Sequence, residues 1–174
     1  MKNNHTKSIA FSGMASALCV AILYVGSIID VLDYTVSALC GIIVTVMIVE
    51  FGRRVGIGIW IASSIIALLI LPAKFSALLF VAFCGWYSVL KGFLELHFKK
   101  GVCWLLKLCT FNVVLIFIYF ITLRIMLVPD VTPLISLGVF ALSNFVFVIY
   151  DILLTRIISI YIFSWRKKLT FLKK

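Results

Sequence analysis

The sequence has little acid, little histidine and little proline. Six Asp and Glu stand in 174 residues, beside two His and three Pro. Charged residues of both signs make up only 13% of the chain, too few to coat a water-soluble domain. The acids are scattered, and no run of aspartates is arranged to hold Mg²⁺ for phosphoryl transfer. His5 and His97 are far apart, and Cys19, Cys40, Cys84, Cys103 and Cys109 form no C-x-x-C. A metal or redox centre therefore has no ligand spacing to rest on, and the cysteines read as small buried hydrophobes. Missing too are H-E-x-x-H, G-x-S-x-G and a glycine-rich phosphate loop followed by Lys-Ser/Thr. The chain reads as non-catalytic and without a cofactor, which leaves an intramembrane enzyme lacking any recognised motif as the catalytic alternative. Energy from ATP has to be supplied by a partner.

What is abundant is apolar surface. Hydrophobic residues make up 64% of the chain, and mean hydropathy is +1.25. A helix needs about 20 residues to cross ~30 Å of hydrocarbon. Six runs meet that length, about 7–29, 34–51, 54–71, 75–98, 102–128 and 132–164, followed by a basic tail over 165–174. The runs are continuous rather than alternating, which excludes a β-barrel. They break at Asp30–Asp33, Gly52-Arg53-Arg54, Pro72-Ala73-Lys74, Lys99-Lys100-Gly101 and Pro129–Pro133, where proline or charge stops the ladder. The first run holds 22 uncharged residues from Ser8 to Ile29. A secretory signal core is about 7–15 residues, so an uncleaved helix is expected. The fold class predicted is an all-α integral membrane protein, a single domain over 1–174 built as one bundle of six transmembrane helices. Short connections make sequence neighbours antiparallel neighbours.

Net charge is +10, but its distribution argues against nucleic acid. Lys2, Lys7, Arg53, Arg54, Lys99, Lys100 and the tail residues Arg166, Lys167, Lys168, Lys173 and Lys174 all fall on one side of the six spans. Asp30, Asp33, Lys74 and Asp130 fall on the other, with Arg124 nearby. Basic loops mark the cytoplasmic side, so both termini are expected in the cytoplasm.

Polar residues inside spans are expensive and are functional candidates by default. Glu50, Lys91, Glu95, Lys107, Asp151 and Arg156 form one such set, an intramembrane polar network toward the basic side. Lys91 and Glu95 are four apart and pair along one face. Asp151 and Arg156 are five apart, a poorer match, which turns Asp151 toward Lys91 or Lys107 on a neighbouring helix. Two readings stay open: interhelical ion pairs with snorkelling stems, or a docking surface or proton relay centred on Asp151. Asn112 and Asn144 lie near mid-membrane, with Trp86 on the fourth span. The asparagines serve equally as a helix clamp or as the floor of a polar pocket. Toward the outer side, Asp33, Tyr34, Lys74 and Arg124 offer both charge signs and an aromatic wall, which suits a small, polar, partly aromatic ligand.

The first span carries one more feature. In "GMASALCVA", Gly13, Ala17 and Ala21 repeat at four-residue intervals. Such a stripe lets another backbone approach closely, either within the bundle or from a partner. With six spans in under 200 residues and both ends cytoplasmic, the chain resembles the substrate-binding S components of energy-coupling factor (ECF) transporters. Their first helix carries an A-x-x-x-A pattern, matched here by Ala17-Leu18-Cys19-Val20-Ala21. The resemblance implies a multi-pass protein of a bacterial cytoplasmic membrane that takes up a vitamin or similar small micronutrient. It implies as partners a transmembrane coupling protein with its ATPases, docked at Gly13, Ala17 and Ala21. It places solute near Asp33, Tyr34, Lys74 and Arg124, with Trp86, Asn112 and Asn144 as deeper contacts. The rival reading is a membrane scaffold resembling the MreD-type cell-shape proteins, which bind partners rather than solutes.

Overall fold

Without water, each apolar stretch must satisfy its own backbone, and the α-helix does so within one segment. The computed structural model describes residues 2–29, 32–72, 74–126 and 133–165, with side chains over 6, 8–29, 32–72, 74–121 and 138–163. No strand occurs among the described residues. The helices are α1 (Lys2–Ile28), α2 (Asp33–Phe51), α3 (Arg53–Ile70), α4 (Lys74–His97), α5 (Lys100–Met126) and α6 (Pro133–Ile160), the last followed by a π turn at Tyr161–Trp165. Each contains a stretch long and apolar enough to cross a bilayer. Asp30, Asp130 and the tail over 166–174 lie outside the described residues. Arg124 lies on α5, but its side chain is outside them too.

Helix ends follow local chemistry. Gly52 joins α2 to α3 at φ +92°, a left-handed backbone that glycine adopts without strain. Beyond α3, Lys74 Nζ donates to the carbonyls of Leu68 (2.8 Å) and Leu71 (2.7 Å). The lysine thus answers carbonyls that the helix end leaves open.

Continuous hydropathy predicts a single helix for the fourth span, but that helix is not regular. It runs as an α-helical turn (Lys74–Leu79), a π segment (Phe80–Cys84) and a second α-helix (Gly85–His97). The wide turn closes with the Gly85 N–H on the Phe80 carbonyl. Trp86 Nε1 donates to the Ala82 carbonyl at 2.7 Å, so this indole serves the π segment it follows.

Helix α2 sits at the centre, packed on α1, α3, α4 and α6. Its residues Ser37, Gly41 and Thr45 stand four apart, all buried, and face α4. Ser37 Oγ donates to the Ser76 carbonyl at 2.9 Å, Thr45 shares a hydrogen bond with Ser88, and Ser88 Oγ donates to the Gly41 carbonyl at 3.3 Å. A methyl group at Gly41 would lie 2.8 Å from the Cys84 carbonyl and run into the Tyr150 hydroxyl. Glycine is needed here because two backbones meet.

Two cores result. One lies among α1 to α4 around Cys19, Cys40, Val44, Ile59 and Phe80. The other joins α4, α5 and α6 through Phe83, Tyr87, Phe111 and Phe147, whose ring centroids are 4.4–5.6 Å apart in stacked and edge-on pairs. Outside, large apolar side chains such as Leu69, Leu96, Leu105 and Phe163 stand exposed. An apolar belt of this kind suits a lipid surround and would drive association in water.

Candidate functional sites: a charged cavity and an open groove

The aromatic core ends at a polar cluster. Tyr87, Lys91 and Glu95 stand four apart on α4, so they share one helix face. That face meets Lys107 of α5 and Asp151 of α6. Tyr87 Oη donates to Asp151 Oδ1 at 2.7 Å. Lys91 Nζ donates to Asp151 Oδ1, to the Asp151 carbonyl at 2.9 Å and to Thr155 Oγ1 at 2.7 Å. Lys107 Nζ reaches Asp151 Oδ2 at 3.0 Å and Glu95 Oε1 at 2.7 Å. Lys91 also lies 3.4 Å from Glu95 Oε1. Lys91, Lys107 and Asp151 are all but inaccessible, at 2–3% exposure.

Burying these charges is tolerable only because each has opposite charge and hydrogen bonds around it. Two ammonium groups face two carboxylates, and Tyr87 and Thr155 occupy remaining positions. The chemistry available is that of a neutralised ionic clamp holding three helices. Lys107 is seven residues from the start of α5, so the clamp lies about 10 Å inside the basic end.

A cavity of about 460 Å³ opens beside this clamp. Buried Lys107 and Asp151 line its depth, with Thr155 nearer the surface. Phe98, Cys103, Trp104 and Ile152 form apolar walls, and Glu95, Lys100 and Arg156 complete the lining. Lys107 Nζ stands 5.6 Å from the Trp104 ring centroid.

On the far side of the bundle the small-residue stripe of α1 points outward. Ala17 and Ala21 lie two residues either side of buried Cys19, about 200° around the helix. Gly13, Ala17 and Ala21 are all exposed, and a methyl built on Gly13 touches nothing within 4 Å. Ala17, Val20, Ala21, Tyr24 and Val25 of α1 form a shallow apolar groove with Ile66 and Ile70 of α3. The stripe thus lies on the outer surface of the bundle, beside α3.

The remaining predicted residues are brought together in pairs rather than into one pocket. Asn144 Nδ2 donates to Asn112 Oδ1 at 3.0 Å, which joins α5 to α6. Each amide also donates to the carbonyl four residues back. Tyr34 packs edge-on against Phe75 with centroids 5.7 Å apart, and Asp33 is buried at the start of α2. Lys74 is engaged on α3 carbonyls. Glu50 accepts from Tyr161 Oη at 3.0 Å, away from the ionic clamp.

Sequence reasoning missed Tyr87 and Thr155 as members of the cluster. The Tyr87–Lys91–Glu95 spacing is the signal that could have found the first; Thr155 follows Asp151 by one turn. It also missed the Ser37–Gly41–Thr45 stripe, whose spacing equals that of the α1 stripe.

Comparison with protein-family models, with curated proteins and with solved structures returns no match.

Proposed function

We propose that this protein is the solute-binding membrane subunit of a multi-component uptake transporter, carried by a membrane partner that grips α1. The observation that carries this reading is the outward-facing stripe of Gly13, Ala17 and Ala21, of which Ala17 and Ala21 line a groove against α3. Hydrophobic burial offers no driving force between helices in lipid, so tight association depends on close backbone approach. The groove is apolar and lies on a helix long enough to span the bilayer, so the occupant proposed is a transmembrane helix of the partner. No ATP-binding motif is present in the sequence, and the partner assembly supplies the ATPases. In this reading the basic end is cytoplasmic, the membrane is that of a bacterium, and solute enters from the opposite end near Asp33, Tyr34 and Arg124. This matches the way ECF S components are organised.

A scaffold resembling MreD-type proteins is the second reading. It is favoured by the engagement of Lys74 on α3 carbonyls and of Asn112 with Asn144, which employs three candidate solute contacts in holding helices. Both readings use the α1 groove.

Purification in mild detergent, followed by mass spectrometry of co-purifying proteins and small molecules, separates them. The transporter reading expects a polytopic membrane protein together with ATPases, lost from Ala17→Trp, and a bound small solute. Recovery of cell-shape membrane proteins without solute overturns it in favour of the scaffold. An unchanged set of partners with Ala17→Trp removes the groove from either reading.

A further inference from the structure

Three cations and two carboxylates line the cavity between α4, α5 and α6, and Lys91 pairs with those carboxylates from behind it. Lys91 and Lys107 are matched by Asp151 and Glu95. Lys100 and Arg156 line the same cavity, and neither has an ion pair among the described residues. The surplus is therefore positive and sits at the mouth, while the acids that would repel an anion are already held by ammonium groups. We propose that this cavity is a binding site for a phosphate-bearing anion, with Lys100 and Arg156 as its charge-bearing contacts.

Position and shape favour the headgroup of an anionic phospholipid as the bearer of that phosphate. Lys100 begins α5 at the basic end of a candidate membrane span, the end that would meet a bilayer surface. Phe98, Trp104 and Ile152 give the cavity apolar walls against which glycerol and upper acyl carbons would lie. Basic cavities between membrane helices suit such headgroups, and arginine matches phosphate oxygens through two parallel N–H bonds. At about 460 Å³ the space falls in the range of small-ligand sites. Lys107 Nζ lies deeper, where a ligand that reached it would touch the ionic clamp. The site is on α4 to α6 and uses no residue of the α1 groove, so it stands independently of the proposed transport role.

Native mass spectrometry of the full chain in detergent tests this with three probes: phosphatidylglycerol, phosphatidylcholine and inorganic phosphate. The expected result is retention of phosphatidylglycerol over phosphatidylcholine, at least tenfold reduced in the Lys100→Gln/Arg156→Gln double variant and kept in Lys100→Arg/Arg156→Lys. Retention of inorganic phosphate with the same dependence on the two residues also supports the site and assigns it to a free anion. Equal retention of the two lipids without phosphate binding overturns the proposal. So does phosphatidylglycerol binding that the double variant leaves intact. Both altered side chains are exposed, and an unchanged unfolding midpoint of the double variant establishes that lost binding is not lost fold.

Discussion

Gly13, Ala17 and Ala21 on α1 and Ser37, Gly41 and Thr45 on α2 share one spacing and opposite fates. The α2 stripe is buried against α4, hydrogen-bonded through Ser37 to Ser76 and through Thr45 to Ser88. The α1 stripe faces outward across a groove shared with α3. The difference teaches that small residues at four-residue intervals specify close approach but not the partner. Composition offers a hint. The closed stripe carries hydroxyls, which find partners on the neighbouring helix. The open stripe carries only glycine and alanine, which need nothing beyond contact.

The largest expected effect extends the comparison to the half of the bundle held by charge. Asp151→Ala leaves Lys91 and Lys107 facing each other with only Glu95 nearby, and should destabilise the fold by about 3–5 kcal/mol. In a background with exposed Cys109 and half-buried Cys84 replaced by Ser and Ala, a maleimide dye that reaches buried Cys19 and Cys40 only on unfolding would report this as a sharply lowered midpoint. A midpoint equal to that of the parent protein would show that the ionic clamp is not needed. Next comes Gly41→Leu, which forces bulk against the Cys84 carbonyl and the Tyr150 hydroxyl, at about 1–3 kcal/mol by overpacking. If α2 were as open as α1, the same assay would register nothing. Ser88→Ala removes the bond to Thr45 and should cost about 0.6 kcal/mol, the average for an interhelical hydrogen bond in a membrane. A loss as large as that of Gly41→Leu would mean that hydroxyls rather than close contact hold the α2 stripe. The smallest effect on stability belongs to Ala17→Trp, within about 0.5 kcal/mol, because the new ring enters open space.

Much of the architecture was legible from composition alone. Six continuous apolar runs became six helices with ends within a few residues of those predicted, apart from an earlier start of α1 at Lys2. The spacing of Lys91 and Glu95 placed them on one face, and the poor match of Asp151 with Arg156 turned Asp151 toward Lys91 or Lys107; it meets both. The π segment of α4 was not legible from hydropathy, and neither was the close approach of its Cys84 carbonyl to Gly41 of α2. Lys74 shows a second limit. Its charge near a turn suggested a solute contact, but its reach and position let it close the end of α3. The cavity at the basic end was invisible for a related reason. It is assembled from α4, α5 and α6, and no single run reveals that Lys100 and Arg156 face the same space.

The contrast between the stripes comes down to whether α1 is open for a partner. Partner recovery and unfolding midpoint, measured on one preparation of Ala17→Trp beside the parent protein, test it most directly. An open docking face predicts an unchanged midpoint with the membrane partner lost. A midpoint lowered as far as that of Gly41→Leu, or a partner recovered in full, would contradict it.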